Sequence, residues 1–468
     1  MSRDIYHPPY SSSSGFPLST SSSDSSEATS LAAPTERPAP IHGVPLDVLE
    51  EIFTSLINSL VLAVDDYHGD RFPFSMLTIS HVCVYWRDVS YSLASLWSFI
   101  FVPVRYLILR DEHRRERRDV DISIPPALIN IYLQRSKDYP LSLFLFRMHD
   151  AMRRKGLRST EDHTSDAIAV LRTQAHRWRE LYISSVPSEF KDLPKLFTGL
   201  RNLTSLERLT CVKPFDVWKF RAFTTATNLH WLDLGEYVRP GSISSPFPYT
   251  QIIHLILRSL DFQSTSLFPN ITNVTMYGTP PQHFLSPSPA LTSNLVSLTI
   301  CLTYFTQEHL PLYRGNVSLP RLRDLTIIYV GPVRNPFKAE YLTQDLIAVF
   351  SHRIQHLTLW RVPICVKDLI TILEPLTELR HLGVHDPLPP VYRPYCPISH
   401  ELIQRLATDP LFLPHVNSLD LMWQWHDVDE GMVMDMLLYR TGSTRFAKPY
   451  VPPSYLNGLI EQMRRWVV

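Results

Sequence analysis

The residues that could carry chemistry are scattered along the chain, and few of them are spaced for a shared site. His381 and His385 stand four positions apart, but they fall in a segment that alternates like a β-strand, where this spacing lacks the helical logic of a metal-binding pair. The five cysteines are far apart and never form a C-x-x-C pair. We therefore predict no metal site, no disulfide framework and no cofactor.

Motifs of nucleotide-binding and catalytic loops are missing from the sequence as well. With 14 glycines in all, it contains no G-x-G-x-x-G, no P-loop, no G-x-S-x-G and no H-E-x-x-H motif. We expect the chain to be non-catalytic. An enzyme whose catalytic residues are scattered along the sequence is the least favoured interpretation.

Composition favours a protein partner. The 45 basic residues balance 45 acidic ones, which removes the electrostatic argument for nucleic acid or a membrane surface as partner. The basic run 114–118 is diluted by flanking carboxylates and predicts a solvated loop. The N-terminus has no apolar signal core, and the most apolar stretch, 52–64, is too short to span a bilayer and contains Asn58. A cytoplasmic and/or nuclear protein is expected.

Residues 1–40 are rich in serine and proline, which predicts a disordered tail. The elements that could position binding residues begin after this tail. From Leu49 to Leu60 the apolar residues recur at i, i+3, i+4, i+7, i+8 and i+11, the stripe of an amphipathic helix. A second helical stripe runs from Ile79 to Trp86, and a Leu-Trp pair closes the segment at Trp97. A unit of this size, 41–100, is small for a self-sufficient core and would gain from a partner.

A short motif, apolar-x-x-apolar-x-apolar, recurs ten times beyond the charged stretch 111–121. Its central positions run from Leu181 to Leu419, at intervals of 19 to 37 residues, and most intervals lie near the period of leucine-rich repeats. Each copy predicts one short strand whose apolar residues face a shared core, so that stacked copies build a curved parallel sheet. The segment 141–145 alternates like an additional first strand. The returning segments 342–350, 369–376 and 402–406 predict helices, and 456–463 predicts a helical cap.

The N-terminal segment resembles the F-box, the motif by which substrate receptors attach to the Skp adaptor of cullin-type ubiquitin ligases. The resemblance is carried by Val-Pro-Leu-Asp-Val-Leu-Glu-Glu-Ile-Phe at 44–53, by Val-Cys-Val-Tyr-Trp-Arg at 82–87 and by Leu-Trp at 96–97, in that order. Val44 stands where the family has leucine, and the stretch 61–74 is longer than its norm. The chain is similar to fungal F-box proteins in particular, which continue with a segment like 132–143 and then degenerate leucine-rich repeats.

This resemblance implies an α/β architecture of four parts. They are a disordered tail (1–40), an all-helical F-box (41–105), a charged linker and helix (106–138), and a leucine-rich-repeat-like solenoid with a helical cap (139–468). The implied function is that of a substrate receptor, with a Skp-type adaptor, and through it a cullin, as partners, together with an unidentified protein substrate. The alternative is a repeat scaffold unrelated to ubiquitin, in which the N-terminal helices merely cap the array.

Two sets of binding residues follow from this interpretation. For the adaptor, helix-in-groove binding by a few buried anchors predicts Pro45, Leu46, Leu49, Ile52, Phe53, Val82 and Trp86. For the substrate, the strand positions that alternate with the buried ones would face the concave side of the solenoid. The predicted substrate-binding residues there are Trp231, Asp233, Tyr277, His356, Trp360, His381 and His385, with Trp231, Tyr277 and Trp360 as the main anchors.

Overall fold

A computed structural model of the chain describes residues 44–63, 75–110, 116–122, 125–147, 164–183, 196–212, 221–235, 247–257, 267–277, 291–292, 294–302, 317–330, 353–387, 395–423, 428 and 430–441. The chain divides into two units, Met1–Pro45 and Leu46–Val468, and the helices and strands below belong to the second. The predicted tail, the predicted helix 342–350 and the predicted cap 456–463 lie outside the described residues.

Four helices open the second unit, and their apolar residues build a small core of their own. They are α1 (Leu46–Ala63), α2 (Ser75–Ser80), α3 (Val84–Ser92) and α4 (Ala94–Trp97). Leu49, Phe53 and Ile57 follow one another at i+4 along α1 and are buried, as the amphipathic stripe predicts. The ring of Phe53 meets that of Trp86 edge to face, with centroids 5.0 Å apart. This contact joins α1 to α3.

Trp97 ties these helices to the rest of the unit. It is fully buried, and its indole N–H donates a hydrogen bond of 2.7 Å to the carbonyl oxygen of Ser90. Its ring contacts Tyr132 on the helix α5 (Pro126–Arg135) at 5.1 Å between centroids. The guanidinium of Arg135 lies over the rings of both Tyr91 and Trp97, at 3.8 and 4.3 Å from their centroids. Aromatic packing and cation–π attraction therefore hold α3, α4 and α5 together.

The main sheet has thirteen strands in the order β15-β14-β13-β12-β10-β8-β7-β6-β5-β4-β3-β1-β2. All neighbours pair in parallel except β1 and β2. Its strands are β1 Phe99–Arg110, β2 Glu116–Ile122, β3 Leu141–Arg147, β4 Trp178–Ile183, β5 Arg208–Cys211, β6 Trp231–Leu234, β7 His254–Leu257, β8 Asn273–Tyr277, β10 Ser297–Leu302, β12 Asp324–Tyr329, β13 His356–Trp360, β14 His381–His385 and β15 Ser418–Met422. Two short strands, β9 (Leu291–Thr292) and β11 (Val317–Ser318), pair separately. The predicted parallel repeat sheet is confirmed, since each of the ten motif copies forms one of its strands.

The parallel strands pair in register, so the two apolar positions of every motif line up in two rows across the sheet. The first row includes Leu298, Leu325 and Leu357 on adjacent strands, and the second includes Ile300 and Ile327. From β3 to β14 these positions are buried. Alternation sends both rows to the same face, where they form the core.

Helices and 3₁₀ turns stand between strands in the sequence, and α9 follows the last strand. They are α6 (Thr164–Thr173), α7 (Val366–Leu373), α8 (His400–Thr408) and α9 (Glu430–Thr441), with 3₁₀ turns at Ala175–Arg177, Arg221–Thr225 and Tyr249–Gln251. The predicted helices at 369–376 and 402–406 correspond to α7 and α8. The hydroxyl of Ser399 accepts a hydrogen bond from the backbone N–H of Leu402, a normal N-cap for α8.

The structure differs from the predicted linker at 106–138. The predicted boundary at 105 falls inside β1, which continues to Arg110 and pairs antiparallel with β2. The register sets Arg105 opposite Asp121 and Arg110 opposite Glu116. The segment predicted a loop because its charged residues hide the apolar alternation by which a strand is recognised in a sequence.

The alternation in β10 can be tested with two adjacent positions. Replacing Leu298 with alanine should lower the free energy of unfolding by about 2 to 5 kcal/mol, because this side chain is fully buried in the core. Replacing Thr299, whose side chain points to the opposite face, should cost less than about 1 kcal/mol. Urea unfolding followed by circular dichroism measures both, and equal costs would contradict the register.

Candidate functional site

The predicted adaptor-binding residues divide into a buried and an exposed group. Leu49 and Phe53 are in the core of the helices, and Trp86 is half-buried against Phe53. Leu46, Ile52 and Val82 are exposed by 50%, 48% and 58%. Pro45, which belongs to the first unit, is exposed as well. Only the exposed side chains are available to a partner without unfolding the helices.

Sequence reasoning missed further exposed apolar residues in the same segment. Val48 and Leu56 on α1 stand four positions before and after Ile52, and Val84 lies at the start of α3. The N-terminal apolar patch is defined here as the exposed side chains of Leu46, Val48, Ile52, Leu56, Val82 and Val84. The i+4 spacing of Val48, Ile52 and Leu56 was the available signal, because it marks a second apolar row on α1 beside the buried one.

The turn between α2 and α3 holds Val82 outward. The backbone N–H of Val82 donates to the carbonyl of Ile79, and the thiol of Cys83 accepts a hydrogen bond from the N–H of Trp86 as the N-cap of α3. The guanidinium of Arg87 donates to the carbonyl oxygen of Ser80 at 3.0 Å across the turn. These bonds fix the backbone on both sides of an exposed valine.

The polar face, on the other side of the sheet from the core, carries the residues that alternate with the apolar rows. In register they form three rows across the strands. The first runs through Arg208, Trp231, His254, Asn273, Ser297, Asp324, His356, His381 and Ser418. The second runs through Thr210, Asp233, Ile256, Thr275, Thr299, Thr326, Thr358, Gly383 and Asp420, and the third through Tyr277, Cys301, Ile328, Trp360, His385 and Met422.

Three of the predicted substrate-binding residues are buried, which corrects the sequence prediction. Trp360 is 3% exposed and packs in a cluster with Cys301 and Ile328, and His385 is 1% exposed with its ring 4.0 Å from that of Trp360. Asp233 in the second row is also buried. Alternation assigned all three to the correct face, but it carries no information on whether a position of that face is covered.

The other four predicted residues are accessible on the polar face. His356 is exposed, and Trp231, Tyr277 and His381 are half-buried. Trp231 lies between two neighbours: its ring stacks on His254 with centroids 4.9 Å apart, and the guanidinium of Arg208 lies 5.2 Å from its centroid. Three adjacent strands thus present an Arg-Trp-His stack, a semi-rigid surface with both apolar area and hydrogen-bonding groups.

The histidines of β13 and β14 each have a separate partner. His356 Nδ1 lies at hydrogen-bond distance from Asp324 Oδ1, His381 Nδ1 is 2.9 Å from Ser418 Oγ, and His385 Nε2 is 2.9 Å from Asp420 Oδ2. Among the described residues, no three His, Cys, Asp or Glu side chains are placed to hold a metal ion. These contacts orient the imidazole rings on two adjacent strands of the sheet.

Two histidines of the first row, His254 and His381, have lowered pKa values. Partial burial lowers the pKa of His381, and the nearby His356 and His385 lower it further, against an opposing effect of Asp420. Partial burial likewise lowers the pKa of His254, with contributions from His230 and Arg208. Both side chains are uncharged at neutral pH, so they present imidazole nitrogens as neutral partners.

Four threonines lie side by side on the polar face, between the Arg-Trp-His stack and the histidines of β14; they are called the threonine ladder. Thr275, Thr299, Thr326 and Thr358 occupy the second row on four consecutive strands of the sheet and are half-buried. Gly383 continues the row, and a Cβ at this position would come within 3.1 Å of the Thr358 side chain. Hydroxyl groups on adjacent strands, about 4.8 Å apart, can bond the backbone and polar side chains of a bound polypeptide.

Comparison with known proteins adds little to this geometry. No family model matches the chain, and no curated protein matches it. Among solved structures, an internalin from Listeria monocytogenes is similar over 60% of this chain and 83% of its own, with 17% sequence identity and a TM-score of 0.26. A TM-score this low does not establish a common overall fold, so the repeat architecture rests on the strand order of the chain itself.

No helix within the described residues combines the length and the hydropathy that a membrane crossing requires.

The lowered pKa values of His254 and His381 predict a stability that depends on pH. In the unfolded chain a histidine takes up its proton near pH 6.5, whereas the folded protein takes it up only at lower pH. The unfolded state therefore binds more protons as the pH falls below about 6.5, and the free energy of unfolding should decrease there. Replacing His381 with asparagine should flatten this decrease in urea unfolding between pH 7 and 5. Replacing the exposed His415 serves as the control, and an identical slope for both variants would contradict the assignment.

Proposed function

We propose that this chain is the substrate receptor of a cullin-type ubiquitin ligase. In this function the N-terminal helices bind a Skp-type adaptor, and the polar face of the sheet binds a protein substrate. The observation that carries the proposal is the N-terminal apolar patch, which occurs in the segment that resembles the F-box. There α1 carries a second apolar row, exposed to solvent, beside the buried row that its own core uses.

The physical argument for a partner is the cost of leaving this patch in water. A Leu, Ile or Val side chain that moves from solvent into an interface gains about 1.5 to 3 kcal/mol. Ile52 and Val82 are each about half exposed, so each retains a substantial part of this free energy for binding. A groove that accepts an amphipathic helix would take α1 through residues at i, i+4 and i+8, as Val48, Ile52 and Leu56 are spaced.

The polar face supports the second half of the proposal by its chemistry. The Arg-Trp-His stack offers aromatic area at little entropic cost, and the threonine ladder offers hydroxyl groups that pair with a polypeptide. Binding there would bring a substrate lysine close to catalytic groups supplied by other subunits. The chain itself would contribute proximity. A non-catalytic, cytoplasmic or nuclear protein without cofactor, nucleic acid or membrane partner fits this role.

The adaptor half can be tested with the full-length chain. Replacing Ile52 or Val82 with aspartate should weaken binding to a purified Skp adaptor by at least about 30-fold, because each change puts a charge into the interface core. Surface plasmon resonance with immobilised adaptor measures the affinity. Both positions are exposed, so the thermal unfolding midpoint should stay close to that of the wild type.

The matched control is Leu411, an apolar residue that is 83% exposed at the far end of the sheet. Its replacement with aspartate should leave adaptor affinity unchanged. A wild-type chain that is folded and does not bind the adaptor would overturn the receptor proposal.

The second candidate function is a repeat scaffold without a role in ubiquitin transfer. The observation that favours it is the packing of Trp97 and Arg135, because helices held this firmly against α5 can also serve as the cap of the first strands. This candidate predicts that the aspartate variants at Ile52 and Val82 bind every partner as the wild type does.

The substrate half predicts an effect confined to the polar face. Replacing Thr326 with arginine puts a long side chain in the middle of the threonine ladder and should reduce the recovery of proteins that co-purify with the wild-type chain. Adaptor binding by the same variant should be unchanged. Quantitative mass spectrometry of tagged wild type and variant makes the comparison. Equal recovery of all co-purifying proteins would exclude this face as the substrate site.

A further inference from the structure

A cleft outside both surfaces is lined by basic and polar side chains. It lies between the end of α6 and the turn that follows residue 198, and its volume is about 440 Å³. Its lining residues are Ala169, Arg172, Thr173, Ala175, His176, Gly199, Leu200, Arg201 and Asn202. Two guanidinium groups and one imidazole are thus gathered with a hydroxyl and an amide. None of these lining residues carries a carboxylate.

The guanidinium of Arg172 is held in a fixed place at this cleft. Its Nη2 atom donates a hydrogen bond of 2.6 Å to the carbonyl oxygen of Thr198. Gly199 follows with φ of +76°, a conformation that favours glycine, and a Cβ at this position would approach the Arg172 guanidinium to 3.2 Å. The turn therefore leaves room for the guanidinium, which carries further N–H donors besides the one that bonds Thr198.

The end of a helix carries partial negative charge, which would oppose an anion, but here part of it is already satisfied. The carbonyl of Val170 accepts a hydrogen bond from the hydroxyl of Thr173, and that of Leu171 accepts one from the N–H of Gln174. Arg172 also stands in the last turn, where a cation offsets the helix dipole. Arg172 and Arg201 contribute two full positive charges to the lining of the cleft.

We propose that this cleft binds a phosphomonoester, such as a phosphorylated side chain of a protein partner. Arg172 would provide the fixed, bidentate contact, and Arg201 and His176, which are exposed, would close on the other oxygens. The side-chain N–H group of Asn202 supplies a further hydrogen bond from the rim. The proposal is independent of the adaptor and substrate assignments, because none of these residues belongs to the N-terminal apolar patch or to the polar face.

The test is isothermal titration of the full-length chain at constant ionic strength with three probes. They are inorganic phosphate, the capped tetrapeptide Gly-phosphoserine-Gly-Gly and the same peptide with serine. Both phosphate-bearing probes should bind, and the serine peptide should not. A phosphopeptide that binds more tightly than phosphate identifies a protein segment as the source, whereas equal affinities identify a free phosphomonoester.

Variants then locate the binding. Arg201→Gln should weaken the affinity for the phosphopeptide by about tenfold, and Arg172→Gln by at least as much. Arg321→Gln, which changes an exposed arginine before β12, should have no effect. Because Arg172→Gln also removes the bond to Thr198, Arg172→Lys is the second variant: it keeps a charge and a donor and should retain part of the affinity. Absence of binding by both phosphate probes, or unchanged affinity in folded Arg172→Gln and Arg201→Gln, would overturn the proposal.

Discussion

The pairing of the parallel strands in a common register is the constraint on which the other features of this protein depend. A repeat with two apolar residues, such as Leu298 and Ile300, cannot bury them alone, and it does so only when the neighbouring strands present theirs at the same height. The same register decides which residues share a row on the polar face. Connections of very different length are tolerated between strands, because the entropy of closing a loop grows slowly with its length.

The N-terminal helices depend on the sheet through a few aromatic contacts. Trp97 closes the helical core and leads directly into β1, and the Arg135 guanidinium covers it from α5. A partner bound to α1 would therefore be held in a defined orientation relative to the first strands. In a substrate receptor, this rigidity would fix the distance between the bound adaptor and the bound substrate. A fixed distance is the basis of a proximity effect.

Much of the fold could be predicted from the sequence because its signal is local. The motif copies and the alternation at 141–145 marked the strands, since each apolar pair lies within a few residues. The pairing of β1 with β2 could not be predicted in this way, because the charges of Arg105 and Asp121 concealed the strands. The sequence does not show that Leu46 is exposed while Leu49 is buried, or that His385 is buried. These properties depend on packing against side chains that are far away in the sequence.

The three surfaces use different elements, and this separation determines how their functions can be combined. The N-terminal apolar patch lies on α1 and the α2–α3 turn, the polar face lies on the sheet, and the cationic cleft around Arg172 lies between α6 and the turn before β5. Changes at distant sites without common contacts usually act additively on stability. The three surfaces share no residue, so occupation of one would leave the side chains of the others available. If the proposed functions hold, a phosphorylated partner at the cleft and an adaptor on the N-terminal apolar patch would occupy separate elements of one chain.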